Sequence, residues 1–103
     1  MWAQLITARL KPGKDAELAA LTEQLRAAEQ PNSGLIRSFV LRDQNDPSRV
    51  SFFVVFESEE RARARERDEQ RQSNLEPARA TMAEIFDGAP EFVDFEVVDE
   101  TVG

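Results

Sequence analysis

Residues 49–57 read RVSFFVVFE, and Phe52, Phe53, Val54, Val55 and Phe56 follow one another without a polar break. β-branched and aromatic residues in so short a run predict a strand. Successive side chains of a strand point to opposite faces, so a strand apolar on both sides predicts burial on both faces. The chain's helical regions are enough to cover one face of a small sheet. The other face needs a second cover, and a second copy of the same chain is the economical one; an unrelated partner protein is the alternative.

Working outward from this strand, residues 35–42 (LIRSFVLR) predict another, with both faces partly buried. Asp43 to Ser48 (DQNDPS) joins the two through a turn rich in Asp, Asn and Pro, which makes a hairpin. Further upstream, residues 2–10 (WAQLITARL) predict a strand and Lys11-Pro12-Gly13-Lys14 a turn. Asp15 is placed to cap a helix with Glu17 in its first turn. Leu18, Leu21, Leu25 and Ala28 then share one helical face, and Pro31-Asn32-Ser33-Gly34 ends it.

Downstream, Ser58 is placed to cap a helix that opens with Glu59 and Glu60. Residues 59–72 (EERARARERDEQRQ) have high helical propensity but only Ala62 and Ala64 as apolar residues, so weak anchoring is expected. Such a segment, 59–73, is a candidate mobile lid. Ser73 or Asn74 restarts the helix, Pro77 fits its first turn, and Leu75, Ala78, Met82 and Ile85 form a stripe with Phe86 beside it. Gly88 and Pro90 are expected to terminate it, and residues 91–99 (EFVDFEVVD) to form the last strand. The order βαββαβ predicts a single α+β domain over residues 1–103, a ferredoxin-like four-stranded antiparallel sheet with its helices on one face.

Composition excludes much chemistry. The chain has no histidine, cysteine or tyrosine, so it lacks the commonest general base, the commonest transition-metal ligand, the thiolate and any disulfide. Its net charge of −7 disfavours nucleic acid and anionic membrane surfaces. The amino terminus carries no basic region followed by an apolar run, and no stretch reaches the length of a membrane span, so a cytoplasmic location is expected. Four isolated glycines make no phosphate-binding loop, and no compact acidic motif suggests a metal. No cofactor is therefore expected. The arginines of 59–72 are interleaved with Glu and Asp, which predicts a solvated, ion-paired helix and not a nucleic-acid site.

Several residue groups together resemble a known family. Arg9-Leu10-Lys11-Pro12-Gly13-Lys14 closes the first strand and Gly34 opens the second. Arg42-Asp43 and Asp46-Pro47 mark the hairpin, and Val55-Phe56-Glu57-Ser58-Glu59-Glu60 leads into the second helical region. From about Trp2 to Val98 the chain resembles the antibiotic biosynthesis monooxygenase domain of the dimeric α+β barrel superfamily. The resemblance implies a homodimer with a pocket between sheet and helices. It also implies oxygenation of a small aromatic or quinone-like compound without metal or flavin. Members often carry Trp where this chain has Phe56, and His in the second helical region, which this chain lacks. The haem-degrading branch's Asn would fall near Ala8, and that branch's Asn, Trp and His are all missing here. The alternative reading is a non-catalytic homodimer of the same fold that binds a small ligand or serves as a structural module.

The residues themselves offer a few candidates for substrate binding and none that stands out as catalytic. Phe56 shares a face with Phe52 and Val54 and is either a pocket wall or core. Arg37 lies between apolar neighbours and needs a partner; Asp94 and Glu96 are available, either in a substrate-binding cluster or in a structural ion pair. Asn74, Met82 and Phe86 are the candidates from the helices, with core or capping roles as the alternatives. Without histidine, a base has to be a carboxylate, and Glu57, Asp94 and Glu96 are the options on strands.

Overall fold

The structure, a computed structural model, describes residues 1–103. Its elements run β1 (Trp2–Leu10), α1 (Asp15–Ala28), β2 (Leu35–Arg42), β3 (Arg49–Phe56), α2 (Glu59–Glu66), α3 (Glu69–Asn74), α4 (Glu76–Ile85) and β4 (Phe86–Glu96). The strands form one antiparallel sheet in the order β2-β3-β1-β4. This is the ferredoxin-like arrangement expected, with the second helical region in three pieces. One break, at Arg67 and Asp68, was not expected; the other falls at Leu75, just past the restart expected at Ser73 or Asn74. Asp68 accepts a hydrogen bond from the Arg71 backbone N–H at 2.9 Å and so caps α3. Pro77 lies in the first turn of α4, where its missing N–H has no intrahelical partner to lose.

Register assigns the paired strand residues to a face. On the helix side, transverse rows run Val40–Phe52–Ile6–Phe92, Ser38–Val54–Gln4–Asp94 and Leu35–Phe56–Trp2–Glu96. On the outer side the rows are Leu41–Ser51–Thr7–Glu91, Phe39–Phe53–Leu5–Val93 and Arg37–Val55–Ala3–Phe95. Leu18, Leu21 and Ala28 of α1 and Ala78 and Ile85 of α4 pack with Val50 and Phe52 into the main core. A smaller cluster joins Trp2, Phe56 and Ala62. The outer face has no helix on it, and Phe39, Leu41, Val93 and Phe95 remain exposed there.

Several local expectations are corrected. Asp15 does not cap α1: the N-cap is Lys14, without a side-chain bond, and Asp15 instead pairs with Arg42 at 2.6 Å. Ser58 does cap α2, accepting from the Arg61 N–H at 3.1 Å. The final strand starts at Phe86, before the expected Glu91, and stops at Glu96. Gly88 lies inside β4 at φ 76°, in an irregularity where β4 carries extra residues opposite Thr7–Arg9. Glycine accepts that backbone and Pro90 needs no ladder partner, so both mark a bulge and not a helix stop. β2 is also irregular between Leu35 and Arg37. The extra residue turns Leu35 to the helix side while Arg37, Phe39 and Leu41 face outward, a reversal that simple alternation does not predict.

Candidate functional site

The helix side of the sheet is not covered evenly. Towards the β4 edge its rows end in Phe92, Asp94 and Glu96, all exposed, and Phe92 is 59% accessible although it faces the helix layer. A polar chain crosses this open strip. Gln4 Nε2 donates to Asp94 Oδ1 at 2.9 Å, and Arg63 Nη2 donates to Asp94 Oδ2 at 3.1 Å. Arg63 reaches down from α2 and also pairs with Glu59 at 3.4 Å and Glu66 at 3.2 Å. Its guanidinium lies 4.9 Å from the centre of the Trp2 ring, a cation–π distance. Lost hydration works against its charge, but the Asp94 hydrogen bond and the attraction of Glu66, Asp94 and Glu59 outweigh that and raise its pKa.

Beneath this strip the aromatic residues are packed. Phe56 is 3% exposed and meets Trp2 at 5.9 Å between ring centres. The Arg65 guanidinium lies 5.1 Å from the centre of the same ring. Arg65 is in turn held by Glu29 through Nε and Nη2, with bonds from 2.6 to 3.1 Å. Burial raises the Glu29 pKa, but hydrogen bonds from Arg65 and Ser33 and the charges of Arg65 and Arg71 outweigh it, so the carboxyl titrates below its ordinary 4.5. Phe52 meets Phe86 edge-on at 6.3 Å, and Met82 packs against the same core.

The residues singled out from the sequence are therefore dispersed. Phe52, Phe56, Met82 and Phe86 lie on the helix side and pack into or against the cores. Asn74 accepts a hydrogen bond from Gln70 Nε2 at 3.1 Å within α3. Arg37 is exposed on the outer face at the β2 edge. The expected pairing of Arg37 with Asp94 or Glu96 is corrected, because β2 and β4 are opposite edges of the sheet and Asp94 belongs to Arg63 and Gln4. Glu57 pairs with Arg61 at 3.2 Å. Trp2, Gln4, Arg63 and Phe92 were not among the candidates. Trp2, the chain's sole tryptophan, was the one signal available for them in the sequence.

The segment read as a candidate lid is also tied down. Besides the bonds of Arg63 and Arg65, Ala62 is buried, and Arg61 donates to Glu57 and to the Asn32 carbonyl. A separate hollow lies elsewhere, at the α1–β2 turn. It is open, about 560 Å³, and lined mostly by polar groups such as Glu29, Asn32, Glu57 and Arg61. No three carboxylates converge as metal ligands, and no helix is long and apolar enough to cross a membrane.

Comparison with solved structures agrees with the topology. A mutant of the oxygenase SnoaB from Streptomyces nogalater, described as cofactor-independent, superposes with a TM-score of 0.70 at 12% identity, covering 96% of this chain and 94% of that one. Rv0793 from Mycobacterium tuberculosis gives 0.73 at 13% identity, with 98% of each chain covered. NE2512 from Nitrosomonas europaea, of unknown function, gives 0.72 at 23% identity, covering 99% of this chain and 93% of that one. Identities this low carry the fold alone. No curated protein matches the chain in sequence. The sequence profile named antibiotic biosynthesis monooxygenase matches residues 1–73 of the 103, and the chain belongs to that family.

Proposed function

We propose that this protein is a homodimeric oxygenase that binds a small aromatic or quinone-like compound on the helix side of the β1–β4 strip. Oxidation would use molecular oxygen and no cofactor. The observation that carries this reading is the Gln4–Asp94–Arg63 chain beside the Trp2 ring and the exposed Phe92 ring. Aromatic surface would hold a flat ligand, and the polar groups would orient an acidic hydroxyl or methylene. Asp94 is the carboxylate placed to take a proton, and Arg63 the cation placed to stabilise the anion left behind. The substrate anion then passes an electron to oxygen, and the two radicals combine into a peroxide. Asp94 returns its proton to the peroxide, and loss of water then leaves a carbonyl, so one methylene and one oxygen molecule give one carbonyl and one water. Phe52, Phe56, Met82 and Phe86 serve as packing beneath the ligand. Arg37, on the outer face, would act at the contact between the two sheets.

The test is oxygen uptake with anthrones and hydroquinones. Turnover by the wild type that falls at least about tenfold in Asp94→Asn supports the reading. No turnover with any of them, in a protein that still binds them saturably, favours the non-catalytic binding homodimer instead. That second reading draws on the burial of Phe56 and Phe52, which leaves the expected aromatic wall as core.

The dimer is a separate part of the proposal and rests on the bare apolar rows of the outer face. Sedimentation at micromolar concentration should give a dimer, and Phe53→Asp should dissociate it. A monomeric wild type would end that part.

A further inference from the structure

A second polar region lies on the far side of α2. Between the Pro31-Asn32-Ser33 turn and the start of α3 is a small hollow of about 120 Å³. Arg61, Arg65 and Arg71 line it, and Asp68 is the one acidic residue in its wall. In a chain of net charge −7, such a concentration of guanidinium groups needs an account. Arg61 and Arg65 have one: Glu57 and the Asn32 carbonyl take the first, and Glu29 takes the second. Arg71 has none. It is partly buried, its side chain makes no hydrogen bond, and no carboxylate oxygen lies within 4.0 Å of it. The Asp68 Oδ1 atom accepts from the Arg71 backbone N–H, so it serves the helix cap.

We propose that this hollow binds a small oxyanion, a carboxylate or a phosphate, with Arg71 as its principal charged partner. A partly buried guanidinium with no carboxylate in direct contact is only partly compensated, and an anion in the hollow supplies the missing contact. Loss of hydration and the nearby Arg65 charge both lower the Arg71 pKa, against the attraction of Glu29 and Glu66. Asn32, Ser33 and Gln30 complete the wall with groups able to donate to anion oxygens. A space of this size takes a few waters or one such anion. Because the hollow shares no residue with the Gln4–Asp94–Arg63 strip, the proposal stands or falls independently of the oxygenase reading.

Isothermal titration calorimetry with inorganic phosphate and with acetate, at constant ionic strength, tests it. The wild type should bind at least one of them saturably, and the one that binds identifies the class. Arg71→Gln should weaken that binding on the order of tenfold, while Arg26→Gln, an exposed arginine on α1, should leave it unchanged. Absence of saturation with both anions overturns the proposal, and so does equal binding by Arg71→Gln. If Arg71→Gln does not fold, the wild-type amide shifts decide. Movement on titration centred on Asn32, Ser33 and Arg71 supports the site, and movement elsewhere or nowhere removes it.

Discussion

The two ends of the helix layer are closed by different physics. At one end, α1 and α4 set Leu18, Leu21, Ala78 and Ile85 against Val50 and Phe52, and the seal is hydrocarbon. At the other, the buried cluster is only Trp2, Phe56 and Ala62, and arginines form its roof. Arg63 lies over Trp2 and Arg65 over Phe56, while Asp94 and Glu29 hold the guanidinium groups in place. A helix with almost no apolar face can thus be anchored, provided its arginines have an aromatic face below and a carboxylate beside them. The difference predicts that the hydrocarbon end is insensitive to salt and pH, while the ionic end responds to both.

The largest effect expected is at the hydrocarbon end. Leu21 is fully buried, and Leu21→Ala should cost about 3 to 4 kcal/mol in denaturant unfolding, equally at low and high salt. Gly34 tests how closely α2 must approach the sheet. It has φ 87°, and an added Cβ would lie 2.6 Å from the Arg61 Cβ. Gly34→Ala should cost about 2 to 3 kcal/mol, because both the backbone and the contact oppose it. Next comes Glu29→Gln, which removes the charge opposite Arg65 in a pair whose side chains are only 15% and 21% exposed; a loss of about 2 kcal/mol is expected.

The same pair sets an acid limit. The folded-state pKa of Glu29 is depressed, so its stabilisation is complete above its unfolded value near 4.5 and is lost as pH falls through the lower folded value. The stability difference between wild type and Glu29→Gln should therefore be constant near neutrality and shrink below that pH. A difference that persists undiminished in acid would assign the effect to packing. The smallest effect is expected for Arg63→Ala, whose side chain is the more exposed. Its destabilisation should diminish in high salt, and an unchanged loss would point to ring contact with Trp2 as the main term.

Much of the architecture was legible because it depends on local pattern. The run at 52–56 marks a strand, Leu18, Leu21 and Leu25 mark a helix face, and Ser58 marks a start. These readings need only the period of the side chains and the chemistry of one cap. What was missed depends on residues distant in sequence. Arg63 meets Asp94 31 positions away and Gln4 meets Asp94 across 90, so no spacing motif announces either contact. The expected partners of Arg37 failed for a related reason. Asp94 and Glu96 lie on β4, and only the strand order β2-β3-β1-β4, which no single segment reveals, puts β2 and β4 at opposite edges of the sheet.

By itself the sequence determined an α+β fold with a sheet apolar on both faces, built without histidine or cysteine. Hydrophobic period, composition and turn residues are properties of the chain that no packing can change. Only the tertiary structure decided which face of β3 meets the helices, where the bulges fall, and that Gln4, Asp94, Arg63 and Trp2 form one group. Those outcomes follow from register and from which long side chains reach which partners. Both are fixed by the packing of all the elements together and by no segment alone.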